Sequence, residues 1–117
     1  MVSFCIITYN QEAFVREAIE AALRQNYADI EFIISDDCST DSTIEVIQAA
    51  IRDRKIAAPI TFLKNPVNLG MGGNLNRIME VAKGDIIVIA AGDDISHPDR
   101  TRCVMDAFYK YLSLIHI

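Results

Sequence analysis

Residues 30–51 read IEFIISDDCSTDSTIEVIQAAI, and their reading decides the fold. Ile30 to Ser35 is a short apolar, strand-like run. The polar cluster Asp36-Asp37-Cys38-Ser39-Thr40-Asp41 follows it. Ser42-Thr43-Ile44-Glu45 then fits a capping box, with Ser42 bonding forward and Glu45 back, and opens a helix through Ile47 and Ile51. The same strand, polar loop and helix recur on either side. Val2 to Thr8 is apolar and β-branched, as a buried strand should be. From Glu12 to Asn26 the period becomes helical, with Val15, Ala18, Ile19, Ala22 and Leu23 on one face and Arg16, Glu17, Glu20 and Arg24 on the other. A third strand, Ile60 to Lys64, follows Pro59, and Leu75, Ile78, Met79 and Ala82 mark the inner face of a third helix. Lys83-Gly84 is expected to end that helix through a left-handed glycine. Asp85 to Ala91 is the fourth strand. Pro98 suits the first turn of a fourth helix, whose buried side is expected to carry Val104, Ala107, Phe108 and Tyr111. Strand and helix alternate four times with no repeat and no linker. This predicts an α/β fold, a doubly wound, mostly parallel sheet with helices on both faces.

Composition narrows the classes. The chain has 117 residues, 51% hydrophobic and 23% charged, with a formal net charge of −5. That length suits one domain, and the lack of any low-complexity or Pro/Gly-rich stretch excludes disorder or a collagen-like repeat. Its longest apolar run, Ile86 to Ala91, is too short to cross a bilayer. No basic and apolar leader precedes the first strand, so a cytoplasmic location is expected. Net acidity argues against nucleic acid as a partner. Cys5, Cys38 and Cys103 form no C-x-x-C pair and read as reduced thiols.

Every unusual polar cluster lies just past a strand: Thr8-Tyr9-Asn10, Asp36 to Asp41, Asn65 to Gly70, and Gly92-Asp93-Asp94. In a parallel sheet these four places share the carboxyl edge, where ligands of open α/β sheets bind. Asp36-Asp37 and Asp93-Asp94 therefore converge there. Asp36, Asp37 and Asp41 also suit turns and helix caps. Adjacent carboxylates nevertheless repel unless a cation or strong donors satisfy them, and their hard oxygens suit Mg²⁺ or Mn²⁺. Tyr9 reads equally as a ring for stacking on a flat base and as a half-buried ring closing the edge. Gly70-Met71-Gly72-Gly73 could cradle phosphate at a helix N-terminus, but it lacks the P-loop and dinucleotide signatures, and a flexible loop or tight turn is the expected role. His97 and His116 have no partner at metal-ligand spacing and are expected to be solvated or capping.

Four stretches together, SFCIITYN, IEFIISDDCSTDST, NPVNLGMGGNLN and AKGDIIVIAAGDDISHPDR, resemble glycosyltransferase family 2. The resemblance runs to about Tyr111. It implies a GT-A fold, of which this chain would be the Rossmann-like half, and transfer of a sugar from a nucleotide diphosphate with inversion. Thr8 and Tyr9 match the pair that packs on the nucleotide base. Asp37 matches the carboxylate that accepts from the base's ring N–H, a contact that favours uracil or thymine, and of the two donors a UDP-sugar is expected over a dTDP-sugar. The implied nucleotide site comprises Thr8, Tyr9, Asn10, Asp36, Asp37, Ser39, Asn68, Gly70 and Asp93, with Asp36 and Ser39 shaping the pocket. Asp94, with Asp93 beside it, matches the metal motif for Mn²⁺ or Mg²⁺. Ala91 stands where many members carry a further Asp, and Leu75 where many carry a basic residue. The implied base that deprotonates the acceptor (a sugar, a lipid-linked molecule or a protein) comes from a segment beyond Ile117. Association with the inner membrane surface would also use other segments. Ser113 to Ile117 resembles translated sequencing-adapter read-through, with an ordinary apolar helix end as the alternative, so residues 1–112 are expected to be a truncated donor-binding subdomain and 113–117 a non-native or frayed tail. The alternatives are a non-catalytic nucleotide-binding module and a nucleotidyltransferase. A receiver-type signalling domain fits poorly, because its acidic places hold Thr8-Tyr9-Asn10 and Asn65-Pro66.

Overall fold

A computed structural model describes residues 1–115. Four strands, β1 (Val2–Thr8), β2 (Ile30–Asp36), β3 (Ile60–Lys64) and β4 (Ile86–Ala91), alternate with four helices, α1 (Val15–Ala22), α2 (Thr43–Arg52), α3 (Gly70–Val81) and α4 (Arg100–Ile115). The sheet order is β3-β2-β1-β4, and every neighbouring pair is parallel. The expected α/β class and doubly wound sheet are therefore observed. The boundary expected at residue 112 falls within α4, and His116 and Ile117 lie outside the described residues. No described helix is long and apolar enough to cross a membrane.

Strand alternation divides the core. Val2, Phe4 and Ile6 of β1 join Ile30, Phe32 and Ile34 of β2 under Val15 and Ile19 of α1, Ile47 of α2 and Met105 of α4. The opposite face, Cys5 and Ile33 with the half-buried Ile7 and Leu63, is covered by Ile78 of α3. Burial in that layer, with the Glu31 carboxylate nearby, pushes the Cys5 thiol up to about 12. All three cysteines are free.

Three local expectations are corrected. The capping box does not form, because Glu12 Oε2 accepts the Ser42 N–H (2.9 Å) and Asp41 Oδ1 accepts the Thr43 N–H (2.9 Å). Glu12, from the loop after β1, supplies the acceptor for the Ser42 N–H that Glu45 was expected to provide. On α3, Met79 is exposed and Asn74 shares the buried side with Ile78. On α4, Val104, Ala107 and Tyr111 face solvent, while Thr101 and Met105 are buried and Phe108 is partly buried. The register of α4 follows Gln25, whose Oε1 accepts both the Thr101 N–H (2.9 Å) and its hydroxyl (2.7 Å).

Gly84 ends α3 differently from the expected left-handed cap. The helix stops at Ala82, whose backbone is extended. Gly84 is needed for close approach instead, since its N–H donates to Ser3 Oγ (2.8 Å) and an added Cβ would lie 2.6 Å from the Ser3 backbone nitrogen. Ser3 Oγ in turn donates to Glu31 Oε2 (2.6 Å), which also accepts the Lys83 N–H (2.7 Å). This buried knot pins the entry to β4 against β1 and β2. Gly84→Ala must move backbone, so we expect a loss of about 2 kcal/mol or more, read as a lower urea midpoint. Ala at the open Gly72 position should leave the midpoint nearly unchanged or slightly raised.

Candidate functional site

The strand order places a switch point between β1 and β4, because the chain steps outward through β2 and β3 and then returns under the sheet through α3. Ligands of such sheets bind outside the carboxyl ends at that point. A cavity of about 380 Å³ opens there, floored by Ile7, Thr8 and Ala91 and walled by Tyr9, Asp37 and the start of α3.

Asp36 and Asp37 have different tasks. Asp36 is fully buried and accepts three hydrogen bonds, from Thr8 Oγ1 (2.7 Å), Ser39 Oγ (2.6 Å) and the Ser39 N–H (2.8 Å). Ser39 Oγ also accepts the N–H of Asn10, which takes a left-handed φ of 48° and accepts the Thr40 N–H through Oδ1 (2.8 Å). Short polar side chains tolerate that conformation by bonding locally. Asn10, Asp36 and Ser39 thus brace the loops behind the cavity, and only Thr8 of this group lines it. The brace continues through Asp41, which accepts the Glu12 N–H (3.3 Å) and the Thr43 N–H (2.9 Å). Burial opposes ionisation of Asp41, but the Thr43 hydroxyl and these amides outweigh it and hold its carboxyl below the usual range.

Asp37 faces the cavity and caps α3. Its Oδ1 accepts Asn65 Nδ2 (3.0 Å) and the Leu69 N–H (2.7 Å), and its Oδ2 accepts the Gly70 N–H (2.9 Å). A carboxylate at a helix N-terminus satisfies orphan amides and complements the helix dipole. Gly70 turns the chain into the helix at φ 74°. The Gly70–Gly73 stretch is therefore the first turn of α3 rather than a flexible loop, and Asp37 occupies the place a phosphate could have taken. Asn68 Oδ1 shares the Gly70 N–H (3.1 Å) and lines the cavity.

Tyr9 is 46% exposed on the cavity wall, so its ring is available rather than packed away. Two polar lining residues, Gln11 and Asn74, were not anticipated. Gln11 Oε1 accepts the Tyr9 N–H (3.1 Å), and Gly92 lies beneath it, where an added Cβ would meet the Gln11 amide oxygen. Asn74 is buried within α3, bonded to the Ser35 hydroxyl and to Asn65 Nδ2 (3.0 Å). A polar residue on the inner side of a helix next to a glycine run was its available signal.

Beyond β4, the Gly92 N–H donates to the Ile7 carbonyl (2.9 Å), and Asp93 and Asp94 project into solvent. The two acidic pairs share the sheet edge without forming one cluster: Asp36 is sealed, Asp37 is committed to α3, and neither Asp93 nor Asp94 lines the cavity. Among the described residues no group of three metal-ligating side chains occurs. Asp93 and Asp94 still fit a hard divalent ion by their donor chemistry, since such ions are commonly held by one or two carboxylates plus phosphate oxygens. Asp94 Oδ2 pairs with Arg100 (3.2 Å), while its Oδ1 has no hydrogen bond among the described residues. His97 caps locally, its Nδ1 accepting the Asp99 N–H (3.1 Å).

Asp37→Asn sets an amide donor against an α3 amide. We expect a loss of about 2 kcal/mol in urea unfolding, against less than about 0.5 kcal/mol for Asp93→Asn at an exposed position.

The chain is similar to known glycosyltransferases. Putative glycosyltransferase EpsE of Bacillus subtilis is 36% identical over 102 residues, 85% of this chain and 35% of its own length. S. aureus TarS, solved with UDP-GlcNAc, superposes with TM-score 0.77 at 24% identity over 94% of this chain and 31% of its own. The mannosyltransferase PcManGT of Pyrobaculum calidifontis, solved with GDP-Man and Mn²⁺, superposes with TM-score 0.73 at 26% identity over 79% of this chain and 27% of its own. The chain spans 16% to 39% of the length of the curated relatives it matches. The GT-A architecture of these neighbours is the one seen here. Residues 3–114 match the family model described as glycosyl transferase family 2, and the chain belongs to that family.

Proposed function

We propose that the switch-point cavity binds the nucleoside diphosphate of a nucleotide-sugar donor, a UDP-sugar being favoured, and that the longer protein transfers the sugar to an acceptor with inversion. The observation that carries this reading is the exposed ring of Tyr9 beside the Asp37 carboxylate in one cavity. The ring offers a face to a planar base. Asp37 Oδ2 accepts only the Gly70 N–H, so it keeps capacity for one more donor, and the ring N–H of uracil is such a donor. The α3 cap fixes this oxygen before any ligand arrives, so little is spent on ordering it. The nucleotide-sugars bound to TarS and PcManGT support the donor class.

Asp94, with Asp93 adjacent, would hold a divalent ion, which when bound would neutralise the charge of the departing diphosphate. No carboxylate of the site is free to deprotonate the acceptor. Asp36 is sealed, Asp37 is tied to α3, and the exposed pair is assigned to the ion. We therefore assign the base to none of the described residues.

UDP with Mn²⁺ should raise the melting temperature of this chain. At a hundredfold excess over Kd the gain is about 2.7 kcal/mol, or about 10 °C for a domain of this size. Asp94→Asn should remove most of the Mn²⁺-dependent part. A folded sample with no shift from any nucleoside diphosphate, with or without Mn²⁺, would contradict the proposal.

A further inference from the structure

Arg100 opens α4, six residues beyond Asp94. Its Nη2 donates to the Ile89 carbonyl (2.8 Å), and its Nη1 donates to Ser96 Oγ (3.1 Å) and Asp94 Oδ2 (3.2 Å). The guanidinium also lies 5.7 Å from the centre of the Phe4 ring. Three of these four partners are independent of Asp94: Ile89 belongs to β4, Ser96 is buried, and Phe4 is fully buried core. The guanidinium is therefore fixed to the sheet edge, and Asp94 docks on it. A planar fork of donors sets direction as well as distance. Because it takes Oδ2, the oxygen left for a further ligand is Oδ1.

We propose that Arg100 is the positioning residue of Asp94, holding one carboxylate oxygen so that the other is presented to the divalent ion of the donor complex. This rests on the reading of Asp94 as an ion ligand. Hydrogen-bonded partners of ligating carboxylates act in this way, and their loss typically costs about 10- to 100-fold in metal affinity. The positive charge of Arg100 opposes the ion. Asp94 is 47% exposed, so solvent and salt screen that repulsion and orientation outweighs it. Ser96 and the Ile89 carbonyl further hold the guanidinium back from the free oxygen.

The test is calorimetric titration of UDP into this chain, with Mn²⁺ and separately with EDTA. With Mn²⁺, Arg100→Gln should weaken UDP binding about tenfold, and with EDTA by less than about twofold. Arg100→Lys keeps the charge but loses the fork and should fall between. In an Asp94→Asn background, Arg100→Gln should add no further loss, because coupled residues are not additive. An equal loss in EDTA and Mn²⁺, or a loss that persists without the Asp94 carboxylate, would overturn the proposal and leave Arg100 as a brace of the loop. If Arg100→Gln does not fold by circular dichroism, Arg100→Lys decides, and an Mn²⁺ response equal to the parent's overturns the proposal. Mn²⁺-dependent binding left intact in Arg100→Gln sinks only the positioning role. A parent chain that binds UDP without any Mn²⁺ effect sinks the ion reading and this inference together.

Discussion

The carboxylate of Asp37 stands where three demands meet. It directly follows β2, it accepts the two amides that open α3, and it faces the cavity at the switch point. A helix start leaves several amides without partners, and a fixed anion is the most effective way to satisfy them. That constraint sets where α3 begins, which in turn sets the only described helix layer on its face of the sheet. Asn65 and Asn74 extend the same network inward to Ser35, so the cavity wall and the second core layer are bonded together. Whatever occupies the cavity meets a wall already in place.

The neighbouring carboxylate shows how position separates two chemically identical residues. Asp36 points the other way along the strand and is consumed by Thr8 and Ser39, with no surface left for a ligand. Its contribution is to hold the loops after β1 and β2 at one spacing, which keeps Tyr9 at the cavity wall. Buried carboxylates need this degree of satisfaction, because an unpaired charge there costs several kcal/mol. The net charge of −5 is thus unevenly placed: some carboxylates are hydrogen-bonded inside by hydroxyls and amides, and others are left outside on Asp93 and Asp94.

Much of this was legible in the sequence. The two-period alternation gave all four strands and helices, since continuous apolar runs such as Cys5 to Ile7 and Ile86 to Ala91 have few other uses in a parallel sheet. The placing of the polar clusters on one edge followed from topology, and Tyr9 and Asp37 do meet there. What could not be read depended on partners far apart along the chain. Glu12 displaced the Ser42 capping box, Gln25 set the register of α4, and Ser3 decided why residue 84 is glycine. The division of labour between Asp36 and Asp37 was likewise invisible, because adjacent residues of a strand point to opposite faces and the loops that meet them are thirty residues away. The Gly70–Gly73 run misled for a local reason: glycine is read as a loop former, whereas here a single positive φ at Gly70 starts a helix that Asp37 stabilises.

Nucleotide bound as proposed would dock between Tyr9 and the Asp37-capped start of α3. A proton–nitrogen correlation spectrum of the labelled chain, recorded with and without UDP, tests it most directly. The amide signals of Tyr9, Leu69, Gly70 and Asn74 should move together and saturate with one affinity. Those of Arg54, Lys55 and Ile56, which line a separate cleft between α1 and α2, should stay in place. Saturable shifts confined to that second cleft, with Leu69 and Gly70 unmoved, would contradict it.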